Sequence, residues 1–364
     1  MGGVAGCTCS GMGVIVLPAL PDRPIRRHGN VSKRLQLRAA MLPTMPPLRP
    51  RARASRPPAA ARLVVLGDLM LDVVLASQHA LETGTDVPGV VSLVQGGSAA
   101  NTARWLGRLG ARVTLIASVG RDPAGRALVE AVRRDGVRAR IMRVAGVRTG
   151  RIGVIVGPGG ERSFVADRGA ADQLRPEDLE PAWFNGIDGL HLPVYSLLGE
   201  PLGAAGRRSI ELARAAGATI SLDLASIGPL LGRGRRVARQ IVSDTAPDLL
   251  FATASEAEAL LGRYGVEGLL DFAPRAVVKR GSKGATVMAR DGAERLRFEV
   301  ATQHVTAPDT TGAGDAFDAG FLVAWFGALG AGQALPAAMR RAALAGHRAA
   351  ARQLSVRRPE LPLA

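Results

Sequence analysis

The sequence predicts an α/β fold in three layers, a mostly parallel sheet covered on both faces by helices. Two observations carry this. From Arg62 onward, short apolar runs alternate with stretches of helical spacing, and strand–helix–strand units at such separations build parallel sheets with crossover helices. Glycine-containing turns punctuate the runs: Gly67-Asp68, Gly96-Gly97, Gly110 and Gly136 each close one.

The elements follow in order. Residues 63–66 read as a buried strand, and 69–76 continue as a strand with Asp72 inside it. After a stretch rich in Gly, Pro and Asp, residues 90–94 form another strand. Residues 98–109 read as a helix because Ala99, Thr102, Ala103, Leu106 and Leu109 recur at helical spacing. A strand at 113–119 leads to Asp122-Pro123, an N-cap followed by proline at the first helical position, and that helix runs to about Asp135. Further strands are expected at 151–156, 163–166, 189–192, 219–222, 249–252, 276–279 and 285–289, with helices between many of them. There is no internal repeat. Ligands of such sheets bind outside the carboxyl ends of the strands. Asp68, Asp223, Thr253 and Gly281 each fall just after a strand and should line one edge.

Composition bounds the function. The chain has 364 residues, 47% hydrophobic, and a net charge of +16. Residues 1–61 hold ten Lys or Arg and one acid, a net +9, which leaves a modest +7 for the other 303 residues. Arginine supplies 44 of the 47 basic residues, a skew that fits a GC-rich coding sequence better than a nucleic-acid surface. The body shows no basic cluster interleaved with aromatics, so no nucleic-acid partner is expected. Both cysteines, Cys7 and Cys9, lie near the start, which leaves the body without disulfides or thiolate metal sites. No run is long enough to span a bilayer, so no membrane partner is expected and a cytoplasmic location fits. Residues 1–61 read as a disordered Pro- and Arg-rich extension before one domain at 62–364. That extension is an organelle transit peptide, a regulatory tail, or the result of an upstream start codon with Met41 as the true start; the last is favoured.

The chemistry concentrates in two stretches. DTTGAGDAFDAGF, at 309–321, places the Asp315 carboxylate after a Gly-Ala-Gly turn and at the mouth of an apolar helix. Gly312 and Gly314 let the backbone fold tightly with its N–H groups outward. The helix start adds unpaired N–H groups and the positive end of its dipole, a cradle for the charge on a transferring phosphoryl group. A carboxylate beside such a cradle is placed to take a proton from an attacking hydroxyl. Alone, the stretch also fits a loop feeding a buried helix with Asp315 as cap. The second stretch, GGSAANTARWLGRLGARVTLIASVGRDPAGRAL at 96–128, decides between the two.

Together, in this order and at this separation, the two stretches resemble the paired signatures of the ribokinase-like, or PfkB, carbohydrate kinases, and the likeness extends from residue 63 to about 354. The resemblance implies a ribokinase-like three-layer fold with a small β-lid from residues 72–96 and 148–167, which often forms a homodimer interface. It implies ATP and Mg2+ as cofactors, K+ in some members, and a sugar or nucleoside substrate. Asp315 matches the general base, and Gly312, Ala313 and Gly314 the anion hole. Asp72, Gly96, Gly97 and Asn101 match substrate contacts. Arg168 is either a substrate contact or a lid surface charge. Lys279, Gly281, Ser282 and Gly284 resemble the nucleotide loop, and His347 falls where members close around adenine. Thr253 stands where many members carry Asn; with Glu256 three residues on, it implies a phosphate contact beside a carboxylate that organises hydrated Mg2+. Asp309 and Thr311 match positions that help hold the monovalent cation. Asp223 either faces the cleft or caps the next helix. A phosphosugar substrate would want extra basic residues in the lid, for which Arg148, Arg151, Arg162 and Arg168 are candidates.

Overall fold

The computed structural model describes residues 60–363 except 160, 263, 293 and 308, so all but the last two residues of the expected N-terminal extension lie outside the described residues. In chain order the elements are β1 (Arg62–Leu66), β2 (Met70–Ser77), β3 (Gly89–Gly96), α1 (Ser98–Arg108), β4 (Arg112–Gly120), α2 (Pro123–Arg134), β5 (Arg138–Val144), β6 (Arg151–Val156) and β7 (Arg162–Asp167). After several short 3-10 turns come β8 (Gly189–Pro193), α3 (Leu202–Ala215), β9 (Thr219–Asp223), α4 (Ile227–Leu231), α5 (Arg235–Thr245), β10 (Leu249–Thr253) and α6 (Ala254–Leu261). The chain finishes with β11 (Arg275–Lys279), β12 (Ala285–Asp291), β13 (Glu294–Val300), α7 (Ala313–Gly330) and α8 (Leu335–Ser355).

A nine-stranded sheet runs β13-β12-β11-β10-β9-β8-β1-β4-β5. Its neighbours are parallel from β11 to β5, and β12 and β13 close one side as antiparallel strands. Apolar side chains alternate between two cores. One lies beneath α1, α2, α7 and α8, the other beneath α3, α5 and α6. That is the expected three-layer sandwich. Central strands such as β1 and β8 are buried almost end to end, as burial on both faces requires.

Two strands were not foreseen, and they are the two sheet edges. β5 (RARIMRV) and β13 (ERLRFEV) interleave charged and apolar residues. An edge strand needs only one good apolar face, so its apolar run is too diluted to stand out.

A second sheet, β3-β2-β6-β7, is the small lid, and it occupies the expected segments, starting two residues earlier at Met70. The expected cap at Asp122 ties the lid's base to the body. Its carboxylate accepts from Gly125 N–H at 2.8 Å in α2 and from Thr149 N–H at 2.7 Å just before β6. A cap of this kind contributes about 1 kcal/mol. Hydrogen bonds from Thr149 and Gly125 outweigh the opposing effect of burial and hold the Asp122 carboxyl below its ordinary range. Among the described residues no helix is long and apolar enough to cross a membrane.

Candidate active site

The carboxyl ends of the central strands, the start of α1 and the start of α7 meet at one cleft. Gly312 precedes α7 in the left-handed region (φ 77°), the conformation that the turn requires and that glycine takes without strain. In the first turn of α7, Asp315 is held from two sides: Oδ1 accepts from Ser98 Oγ at 2.7 Å, and Oδ2 from Asn101 Nδ2 at 3.0 Å. Ser98 and Asn101 lie three apart on one face of α1, so a single helix supplies both donors. Burial pushes the Asp315 carboxyl up to about 7, while the two hydrogen bonds pull the other way. Part of the residue stays open to the cleft.

The amide cradle differs in one member from the expectation. Ala313 N–H is turned back onto Thr310 O at 3.2 Å, and Ala316 N–H bonds Gly312 O at 2.9 Å. Among the described residues the N–H groups of Gly312, Gly314 and Asp315 find no protein acceptor, while Ala313 is spent within the turn. The loop is braced from behind. Gln353 of α8 donates to Thr311 O at 3.1 Å and accepts from Trp105 Nε1 of α1 at 2.9 Å.

All six residues expected at the nucleotide, Thr253, Lys279, Gly281, Ser282, Gly284 and His347, line one cavity of about 930 Å³ together with Ala313 and Gly314. Gly281 and Gly284 sit at φ 57° and 84°, and a Cβ on Gly284 would fall 2.2 Å from Val300 O. Such a backbone turn can approach a phosphate or ribose closely, so the cavity fits a nucleotide. His347 stands edge-on to Phe317 with ring centroids 5.1 Å apart, and burial keeps its imidazole below the ordinary value.

Lys279 lines this cavity and is also anchored in the floor beneath it. Its ammonium bonds Asp223 Oδ1 at 3.0 Å and both oxygens of Asp318 at 3.0 and 3.1 Å, beneath Gly314. Burial alone would push its pKa down, but Asp223, Asp318 and Glu256 hold it above the ordinary lysine value. Asp223 therefore faces the cleft, and Ser226 rather than Asp223 precedes α4. Asp318 is a residue that sequence reasoning overlooked, although a carboxylate three positions after Asp315 on an apolar helix was a legible signal. Burial keeps its carboxyl well up despite Lys279.

Thr253 and Glu256 form a reciprocal capping box on α6: Thr253 N–H donates to Glu256 Oε2 at 2.8 Å, and Glu256 N–H to Thr253 Oγ1 at 3.2 Å. Glu256 is buried, and burial followed by the charge of Asp223 raises its carboxyl. Among the described residues no three metal-ligating side chains cluster. Mg2+ keeps most of its waters and rides on phosphates, so one carboxylate beside the cavity is a fitting donor set. Three acids around Lys279 leave this floor short of positive charge, which suits a divalent ion.

On the substrate side, Asp72 of β2 is buried. A Cβ on Gly96 would fall 1.8 Å from Asp72 Oδ1, and one on Gly97 2.5 Å from Asp68 O, so this hinge admits only glycine. Asp68 Oδ1 accepts from Ala99 N–H at 3.0 Å. Arg168 reaches inward: Nη1 lies 3.5 Å from Asp68 Oδ2, Nε donates to Asp172 at 2.6 Å, and the guanidinium sits over the Tyr195 ring at 5.1 Å. Its charge is largely buried and ion-paired rather than solvated. Burial raises the Tyr195 hydroxyl, against a side-chain hydrogen bond with Ser226. Ser98, Asp68 and Tyr195 were not singled out from the sequence as substrate contacts.

Asp309 and Thr311 do not fit a monovalent cation. Asp309 Oδ2 accepts from Arg358 Nε at 3.1 Å, and Oδ1 lies 3.2 Å from Arg162 Nη2. Two guanidinium groups already pair with the Asp309 carboxylate.

Known proteins resemble this chain in sequence and in fold. The family profile described as pfkB family carbohydrate kinase matches residues 60–358. Probable fructokinase-3 of Arabidopsis thaliana is 30% identical over 267 residues, which span 70% of this chain and 75% of the relative. An ATP-dependent ribose-1-phosphate kinase of Halopiger xanaduensis is 34% identical over 237 residues, 63% of this chain and 73% of the relative. The solved structure of a putative ribokinase II from E. coli in complex with ATP and Mg2+ superposes with a TM-score of 0.68 at 22% identity, covering 82% of this chain and 94% of that one. At that identity the likeness speaks for the fold alone, which is ribokinase-like.

Proposed function

The chain belongs to the pfkB family of carbohydrate kinases, phosphotransferases with an alcohol acceptor, and on that premise we propose that it uses ATP to phosphorylate a hydroxyl of an unphosphorylated sugar, with Asp315 as general base. The observation that carries this reading is the Asp315 carboxyl, poised near neutrality between Ser98 and Asn101 and next to the free amides of the turn. A base whose pKa lies near the working pH combines the right protonation state with driving force for proton transfer.

The sugar enters between the lid and the sheet edge, where Asp68, Asp72, Asn101 and Arg168 orient its hydroxyls. Asp315 takes the proton of the attacking hydroxyl as the terminal phosphoryl group transfers in line. The N–H groups of Gly312, Gly314 and Asp315, with the dipole of α7, stabilise the charge that develops on it. Mg2+, when bound with the nucleotide, neutralises phosphate charge, and Glu256 would orient its water shell. Thr253, Gly281, Ser282, Gly284 and His347 hold the nucleotide, and lid closure excludes water.

A neutral sugar is favoured over a phosphosugar by the lid's charges. Two of its four candidate arginines are already held in largely buried ion pairs: Arg162 with Asp309, and Arg168 with Asp172 and Asp68. A bound phosphate would have to displace those carboxylates. The lid's outer face exposes Val91 and Val165 at 62% and 67%, which supports pairing of two copies through the lid; light scattering of the purified chain reads that directly.

The test of function is an ADP-release screen with ATP and Mg2+ over ribose, fructose, adenosine, pseudouridine, ketodeoxygluconate and ribose 1-phosphate. Turnover led by a free sugar is the expected result. A preference for ribose 1-phosphate would overturn the neutral-sugar reading, and a preference for adenosine or pseudouridine would make the chain a nucleoside kinase. ATP binding without turnover on any acceptor would make it a binding module.

A further inference from the structure

We propose that the Arg358 guanidinium does, permanently, the work of a monovalent cation behind the anion cradle, so that phosphoryl transfer by this chain is independent of potassium. The proposal rests on the kinase reading above and concerns the loop that carries the cradle.

The geometry is specific. Arg358 Nε donates to Asp309 Oδ2 at 3.1 Å, while its Nη1 donates to Asp72 Oδ2 at 2.6 Å and lies 3.4 Å from Gln95 O. One planar fork thus joins the loop just before Gly312 to the lid strand that carries the substrate-side carboxylate, a planar two-sided contact suited to arginine. Arg162 of β7 closes the other side, with Nη2 3.2 Å from Asp309 Oδ1 and Nη1 donating to Thr310 Oγ1 at 2.8 Å. The remaining bond of Asp309 is internal, from Thr311 N–H to Oδ1 at 2.9 Å. Both carboxylate oxygens are therefore taken, and two fixed positive charges already neutralise Asp309.

The arm that presents Arg358 is itself fixed. Beyond α8, Glu360 bridges to Val94 of β3, Leu361 N–H donates to Leu93 O at 2.7 Å, and the Leu361 side chain is 2% exposed. Arg358 is 11% exposed, so its charge is little screened by solvent. Thr311 Oγ1 is buried without a partner, as are Asp72 Oδ1 and Gln95 Oε1 on the residues that Arg358 reaches. What a bound cation would supply, positive charge that pins Asp309 and the loop, is already covalently present. Arg358 is a positioning residue: it acts through Asp309 and Asp72 on the cradle and the substrate side.

The test has two arms. Thermal denaturation of the whole chain, with a non-hydrolysable ATP analogue, is compared in potassium chloride and choline chloride at equal ionic strength; this arm needs no acceptor and reads the site even if the sugar screen yields no product. Coincident midpoints are expected, and a higher midpoint in potassium would overturn the proposal. In the second arm, turnover of the preferred sugar is followed in the same two salts for the wild type, Arg358→Gln and Arg358→Lys. The wild type should turn over equally in both. Arg358→Gln should lose about 10- to 100-fold in kcat with a smaller change in KM, and potassium or the lysine variant should restore part of it. Potassium activation of the wild type, or an Arg358→Gln enzyme with unchanged kcat, would overturn the assignment. Should Arg358→Gln fail to fold, the wild-type comparison still decides.

Discussion

Replacing Asp315 by Asn separates proton abstraction from everything else the site does. The two side chains have the same shape, and the hydrogen bonds can survive. Asn101 Nδ2 donates at 3.0 Å to one terminal atom, which stays an oxygen, while the Ser98 hydroxyl, now 2.7 Å from the other, can turn from donor to acceptor for the new amide. The substitution should therefore leave fold and nucleotide cavity intact and remove only the base. General-base catalysis is worth roughly 10²–10⁴ in rate, or about 3–5 kcal/mol of barrier, so kcat should fall by that factor with nucleotide affinity close to wild type. Stability carries an independent sign. A carboxyl held at about 7 in the fold, against an unfolded value near 4, binds its proton more tightly when folded. The wild type then loses stability as pH rises from about 4 to about 7, and Asp315→Asn should not show that loss. The assays are ADP release under saturating ATP and sugar, calorimetric nucleotide binding, and denaturation midpoints at acid and alkaline pH. A variant that keeps kcat within about threefold of wild type would refute general-base catalysis by this residue.

Three further outcomes follow from the same geometry. The kcat/KM of the wild type should rise with pH up to about 7 and then level, as Asp315 loses its proton in the free enzyme; a profile flat down to pH 5 would contradict this. Lys279→Met should leave Asp318 and Asp223 buried without their counter-charge and cost about 3–5 kcal/mol, read as a large drop in the urea midpoint, and Lys279→Met with Asp318→Leu should recover part of it. Gly96→Ala would place a Cβ 1.8 Å from Asp72 Oδ1 and should cost about 1–3 kcal/mol by overpacking, with a raised KM for sugar but not for ATP.

Much of this site was legible in the order of residues because its parts are local. The Gly-Ala-Gly turn, the first turn of α7, the Thr253–Glu256 capping box and the Gly281–Gly284 loop all span a few neighbouring positions, where backbone freedom, helix ends and side-chain reach are set by adjacent residues. The two edge strands were harder to see, since a strand with one wet face dilutes its apolar run with arginine and glutamate. Ala313 was misassigned as a donor because which amide of a turn points outward is a matter of dihedral angles, not composition.

By itself, the amino-acid sequence determined the alternation of strands and helices, the glycine hinge at 96–97, and the carboxylate at the head of an apolar helix, since each follows from short-range periodicity and conformational freedom. Only the tertiary structure decided what those groups touch. Asp315 meets Ser98 and Asn101 across separations of 217 and 214 residues, and Arg358 meets Asp72 across 286. Ion pairs and hydrogen bonds at such range are chosen by how the layers pack, and packing settles whether a charge at the cradle is an exchangeable ion or an arginine of the chain.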